Sequence, residues 1–172
     1  LAIGADGTVQ PEALIRFSLL SALSTRNDDP AKAARPFEKS RDGFVMSEGA
    51  ACLVLESLEH ARARGAKVLG LIRGCGEKSD SFHRTRSNPS GEAIIRAMRN
   101  AIADAGLEPD AIGYVNAHGT STPENDKMET LGLRAVFGEG APPISSNKSM
   151  LGHTLSAAGA IEAAFSLLTI RD

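Results

Sequence analysis

Tryptophan is absent from this 172-residue chain, and one tyrosine with six phenylalanines brings the aromatic content to only 4%. Any core must therefore be packed by Ala, Leu, Ile and other small or aliphatic side chains. Two cysteines, Cys52 and Cys75, cannot build a disulfide-rich scaffold, and they suit a reducing, cytoplasmic compartment better than secretion. An excess of one charge is also missing. Nineteen basic residues against 21 acidic ones leave a formal charge of −2, whereas nucleic-acid binders usually carry a basic excess. No apolar run approaches the ~18 residues needed to span a bilayer. The first residues lack the basic-then-apolar order of a secretory signal. These absences leave a soluble globular chain, without nucleic-acid or membrane partners, of a length near the ~150 residues of one domain or parts of two.

What is present has a clear order. An apolar piece and a Gly-rich turn (1–10) precede a predicted helix, Pro11–Leu23, with Ile15, Leu19, Leu20 and Leu23 on one face. Residues 24–43 are polar, contain two prolines, and read as a surface loop anchored by Phe37 and by Phe44 just beyond it. The apolar run 50–56 predicts a strand buried on both faces. A short helix, Ser57–Arg64, stops at Gly65, and Lys67–Cys75 is a further strand candidate. After a polar loop (76–90), Gly91–Ala105 reads as a helix that Ser90 would cap, and Ile112–Asn116 as a strand. Asp126–Phe137 reads as a helix, Pro143–Ser146 as a short strand, and Ser156–Ile170 as the last helix. Alternation of this kind predicts an α/β fold with layered helices and a mostly parallel sheet, in which ligands meet the loops leading from strands into helices.

Two such loops carry histidines. His118 follows the Ile112–Asn116 strand and is succeeded by Gly-Thr-Ser-Thr-Pro. His153 lies in 145–159 (SSNKSMLGHTLSAAG), before the last helix. The N–H groups and positive end of that helix would disfavour an imidazolium at His153. A neutral imidazole donates one N–H and can hold a developing oxyanion without surrendering its proton. Lys148 adds a cation to the same loop, and Glu162, on the helix, is placed to pair with it.

Each feature also has a plainer reading. A histidine after a strand is often structural, and Asp126, Lys127 and Glu129 form an ordinary solvated helix face. His60 reads as solvated and His83 as ambiguous. No histidine pair has HExxH spacing and no cysteine joins them, so no metal is expected. Ser121 lacks the GxSxG elbow of a hydrolase nucleophile. Cys52 and Cys75, at apolar strand positions without a basic neighbour, read as inert packing rather than as nucleophiles.

Four segments carry a specific resemblance: ALSTRNDDP (22–30), RPFEKSRDGFVMSEGA (35–50), YVNAHGTSTPENDKMET (114–130) and SSNKSMLGHTLSAAGAIEA (145–163). The chain resembles the β-ketoacyl-acyl-carrier-protein synthases, most closely those of the bacterial synthase II type, from about Phe17 onward. The resemblance implies a partial thiolase-like fold of two similar α/β halves, with 1–76 ending the first and 77–172 starting the second. It implies decarboxylative Claisen condensation of an acyl thioester with malonyl-carrier protein, in fatty acid or related polyketide biosynthesis. The implied partners are acyl carrier protein, bearing acyl and malonyl phosphopantetheine thioesters, and a second copy of the complete protein in a homodimer. No cofactor is implied.

By the same resemblance His118, His153 and Lys148 are catalytic. Glu162, Asp126 and Glu129 form the supporting polar network, and Thr120 and Thr122 line the pantetheine channel. Departures accompany the match. The family's nucleophilic cysteine lies upstream in a segment that has no counterpart here, and its C-terminal Gly- and Phe-rich segment is also unmatched. Cys52 stands where Gly is common, and Ser47 replaces a frequent Gly, a change expected to act only locally. The sequence therefore reads as an internal segment, inactive alone in condensation. The alternatives are a non-catalytic chain-length-factor-like subunit, a thiolase, or a plain carrier-protein-binding module.

Overall fold

The computed structural model describes residues 1–84 and 86–171. The chain opens with β1 (Ala2–Asp6), whose ladder partner comes only after a helix and a long loop. That helix, α1 (Pro11–Leu19), starts with proline at its first turn and closes at Leu20. It is shorter than the predicted Pro11–Leu23. Ser21 takes a left-handed φ of 51°, which turns the chain away, and Leu23 instead forms a parallel bridge with Phe44. The apolar face of α1 is open among the described residues: Ile15 is 61% and Leu19 81% exposed.

The predicted loop 24–43 is irregular apart from one 3-10 turn, Pro30–Lys32. Phe44 anchors it as expected, being buried, while Phe37 is half-buried. Then β2 (Gly49–Leu53) pairs antiparallel with β1, from Ala2 opposite Leu53 to Asp6 opposite Gly49. This corrects the doubly buried strand predicted for 50–56. A two-stranded antiparallel ladder covers one face only, so burial alternates and Cys52 is exposed. Cys75 is exposed too, so neither cysteine packs a core within this chain.

Next, α2 (Leu58–Ala63) is capped by Ser57, whose hydroxyl accepts from the His60 N–H, and ends before Gly65 at φ 69°. The predicted strand Lys67–Cys75 is not one. Among the described residues it has no ladder partner, and it lies instead against the next helix, α3 (Glu92–Asp104). A Cβ added at Gly74 would lie 2.3 Å from the carbonyl oxygen of Ala101, and one at Gly76 2.0 Å from that of Ala97. Gly91, left-handed at φ 64°, is the residue capping α3, while the Ser90 hydroxyl accepts from the Glu92 N–H at 3.3 Å.

The elements that position the histidines follow. A two-residue strand, β3 (Val115–Asn116), leads through residues 117–122 into α4 (Pro123–Phe137), capped by the Thr122 hydroxyl. Then β4 (Ile144–Ser145) pairs parallel with β3, and α5 (Lys148–Leu151) follows directly. A 3-10 turn (Leu155–Ala157) precedes α6 (Ala158–Arg171). Helix α6 packs on β1 and β2, where Gly4 lets the two backbones close, since a Cβ there would come within 2.8 Å of Ala160 Cβ. Helix α3 packs on α4. In place of one mostly parallel sheet, the described residues hold two small sheets, one antiparallel and one parallel. Short strands between long loops leave too few ladder positions for more.

Segment 43–47 joins these parts. It bridges Leu23 on one side through Phe44 and His153 on the other through Met46. Gly43 sits under the first bridge, where a Cβ would lie 2.4 Å from the backbone carbon of Leu23. Backbone cannot yield as a side chain can. Gly43→Ala is therefore expected to destabilise the protein carrying this chain by roughly 1–3 kcal/mol, the range for overpacking. Chemical denaturation checks this, and an unchanged unfolding midpoint would contradict the fit.

Candidate active site

The structure brings His118 and His153 together. Their ring centroids are 5.1 Å apart and the planes are nearly perpendicular at 86°. His118 lies two residues past β3, and His153 lies between α5 and the 3-10 turn. The backbone of His153 is held on both sides by segment 43–47: its N–H donates to Val45 O at 2.7 Å, and its carbonyl accepts from the Ser47 N–H at 3.1 Å. The Phe44 ring meets His153 edge-on at 5.2 Å, and Phe17 backs Phe44 at 5.3 Å. Ser47 takes part in this bridge through its backbone.

Hydrogen-bond donors fix the tautomer of each ring. The buried Lys148 reaches across from α5, donating to the His118 carbonyl at 2.7 Å and standing 3.3 Å from His118 Nδ1. A lysine ammonium only donates, so Nδ1 accepts and the proton of a neutral His118 sits on Nε2. For His153 the donor is the backbone N–H of Leu155, 3.2 Å from Nδ1. The proton of His153 thus also sits on Nε2. The expected influence of a helix start on His153 takes this local form. Helix α6 itself begins five residues later, and the first N–H of the intervening 3-10 turn is what the imidazole meets.

Both rings resist protonation. Loss of water and then the Lys148 charge push His118 down to about 4 from an ordinary 6.5, against a weaker opposing pull from Asp126. Although His118 as a residue remains open to solvent, its Nδ1 faces the buried lysine. Loss of water, His118 and Lys148 likewise push His153 down to about 4, against Asp6. Lys148 pairs with Glu162 on α6, as expected from the sequence. Burial nevertheless holds the Glu162 carboxyl above its usual range, despite the opposing hydrogen bond and charge of Lys148.

Asp126 and Glu129, three apart on α4, are buried rather than part of a solvated face; Lys127 between them is exposed. Glu129 Oε1 accepts from the His118 N–H at 2.7 Å and its Oε2 from the Gly119 N–H at 2.8 Å. Asp126 Oδ1 accepts from the Ser121 N–H at 3.2 Å and Oδ2 from the Phe37 N–H at 2.8 Å. Ser121 and Phe37 have φ of 72° and 65°, left-handed for non-glycine residues, a conformation that persists only where surroundings hold it. The Thr120 and Thr122 hydroxyls lie 2.9 Å apart, with Thr120 buried.

Several participants escaped the sequence reading. Ser121 is fully buried, and its hydroxyl accepts from the Arg35 N–H at 3.0 Å, which is a structural role. Ser146 donates to the Gly119 carbonyl at 2.9 Å. Asn116 Nδ2 ties Asn147 Oδ1, the Glu162 carbonyl and Ser166 together. Arg41 reaches Asp126. Nothing in spacing alone marks these residues, and Arg41 is one of several basic residues in its loop-like segment. Cys52 sits opposite Ile3 in the β1–β2 ladder, and the Cys75 N–H donates to Asp104, each on elements other than those bearing the histidines. Among the described residues no three His, Cys, Asp or Glu side chains group as metal ligands, and no helix is long and apolar enough to cross a membrane.

The fold thus sets two histidines against each other, beside a buried lysine and buried carboxylates. Residues 1–61 match the beta-ketoacyl synthase N-terminal domain and residues 69–172 the beta-ketoacyl synthase C-terminal domain. The chain belongs to the beta-ketoacyl synthase family. It is 47% identical to 3-oxoacyl-[acyl-carrier-protein] synthase 2 of Coxiella burnetii over 174 residues, which is 100% of this chain but 42% of that protein. Its structure is similar to that of a beta-ketoacyl synthase from Burkholderia phymatum STM815, with a TM-score of 0.92 and 47% identity over 99% of this chain and 41% of that one. It is also similar to a type II PKS ketosynthase solved in complex with its acyl-carrier protein, with a TM-score of 0.92 and 38% identity over 96% of this chain and 41% of that one. The chain thus spans less than half the length of the relatives it matches.

The two depressed imidazoles give a testable sign. Below the ordinary histidine pKa of 6.5 an unfolded chain takes up protons that the folded one refuses down to about 4. The unfolded state binds more protons across that window, so stability falls as pH is lowered through it and is fully present above it. Imidazole resonances of both histidines are expected to titrate near about 4. Midpoints at the ordinary value would contradict the arrangement.

Proposed function

We propose that this chain is the central segment of a cytoplasmic 3-oxoacyl-acyl-carrier-protein synthase, and that it carries the groups that decarboxylate the malonyl extender. The observation that supports this best is the pair of adjacent neutral imidazoles, each with Nδ1 occupied by a donor and Nε2 left to donate. When malonyl thioester loses CO2, the bond to the carboxylate breaks and its electron pair moves through Cα onto the thioester oxygen. Two Nε2–H donors suit that enolate oxygen, because neutral donors stabilise the charge without protonating it away. The Cα carbanion then attacks the thioester of an acyl group held on a cysteine, and that thiolate leaves.

Other features fit the same reading. Neither Cys52 nor Cys75 is the acyl acceptor, so the segment alone does not condense. Thr120 and Thr122 present paired hydroxyls to the pantetheine arm of the carrier protein. Lys148 and Glu162 hold His118 in place, and Asp126 and Glu129 hold its loop. The chain is read as the end of a first thiolase-like half (1–76) and the start of a second (77–172), although the two family matches part earlier, between residues 61 and 69. The apolar outer face of α1, with Leu19 81% exposed, suits a chain that continues into, or pairs with, further protein in a homodimer.

Replacing either His118 or His153 by Ala in the complete protein is expected to slow CO2 release from malonyl-carrier protein roughly 10²–10³-fold, the scale for losing one oxyanion donor. Release at the unmodified rate by both variants would overturn the assignment.

A further inference from the structure

Arg41 lies in the polar segment before Phe44, yet its side chain is only 17% exposed and points at a carboxylate that is 0% exposed. Its Nε stands 3.3 Å from Asp126 Oδ2. The rest of the guanidinium is spent on carbonyls: Glu38 O at 2.9 Å, Pro123 O at 3.1 Å and, from Nε, Thr122 O at 3.4 Å. Arg41 therefore clips segment 35–43 onto the first turn of α4 and supplies the counter-charge for Asp126. No other cation pairs with Asp126 among the described residues. Asp126 in turn holds Ser121, in the loop that carries His118, and holds Phe37 in the segment that carries Arg41.

We infer that Arg41 is a positioning residue for His118, acting through Asp126 on both the loop and the charge that the imidazole faces. An unpaired buried carboxylate would draw a proton toward the nearest base. Within this cluster His118 meets Lys148 of α5 at Nδ1, Glu129 of α4 through its backbone N–H and the His153 ring from the loop before α6, while Asp126 of α4 acts on it through charge and Glu162 of α6 through Lys148. Asp126 is the acidic group that pulls His118 toward its charged form. The Arg41 guanidinium on the same carboxylate opposes that pull, part of which persists in its presence. Without it the imidazole would tend to the imidazolium, which has no use as a neutral donor to an enolate. The charge alone opposes the pull of Asp126, while the planar guanidinium also meets three carbonyls at once.

The test is the His118 imidazole titration in the complete protein, read by NMR with labelled histidine. Arg41→Gln is expected to raise the His118 midpoint by roughly one unit, the low end for an opposite charge freed nearby. Arg41→Lys, which keeps the charge, should leave it close to the unmodified value. Arg41→Gln with Asp126→Asn removes both charges and should return it there. That double variant buries no lone charge and stays readable even where Arg41→Gln does not fold. A folded Arg41→Gln protein with an unmoved midpoint overturns the inference, and so does a double variant still raised by the same amount. The inference rests on the proposed function only for its catalytic meaning. The titration is read without turnover, so a protein that fails to decarboxylate defeats that reading alone.

Discussion

A single buried ammonium organises this structure. Lys148 lies 4% exposed between Glu162, the His118 carbonyl and His118 Nδ1. Taking a lysine out of water is costly, and pairing it with one carboxylate often does no better than an apolar replacement would. Its presence is better explained by what it dictates. It occupies one nitrogen of His118, and so decides which nitrogen carries the proton. It also opposes a second positive charge on either imidazole. The short helix α5, which carries it, follows β4, whose pairing with β3 sets the distance between the lysine and the histidine loop.

Around that cation the carboxylates act mainly on backbone. Glu129 binds the N–H groups of His118 and Gly119, and Asp126 binds those of Ser121 and Phe37. Hydrogen bonds to ionised acceptors are roughly twice as strong as neutral ones, which is enough to hold two non-glycine residues at left-handed φ. Helix α4 thereby fixes the loop that follows β3. His153 is fixed differently, by the strand-like bridge to Val45 and Ser47 and by the edge of Phe44. Two separate devices thus bring the two rings to one contact.

Much of this site was legible from the chain itself. Gly and hydroxyl residues around a strand-end histidine, and a lysine five residues before another histidine, marked residues that the fold brings together, and the resemblance supplied the roles proposed for them. Helices α3 and α4 were legible in their bodies because apolar spacing is local, but not at their starts: Gly91 rather than Ser90 caps α3, and α4 begins at Pro123, capped by Thr122, rather than at Asp126. The strands were not. Run 50–56 suggested a strand buried on both faces, but an apolar run does not say which neighbour will pair, and here β1 paired antiparallel. Segment 67–75 has strand composition but lies against α3, a contact that Gly74 and Gly76 permit and that composition does not reveal. The burial of Asp126 and Glu129 was hidden for a similar reason: charges on a helix face normally meet water, and only the folded loop shows the backbone donors they satisfy.

The central claim is that both histidines are neutral and carry their proton on Nε2. Long-range proton–nitrogen correlation spectra of the complete protein, labelled at histidine and recorded at neutral pH, read this directly. The account predicts a protonated Nε2 and an unprotonated, hydrogen-bonded Nδ1 in both His118 and His153. A protonated Nδ1 on either ring, or an imidazolium at either position, would contradict it.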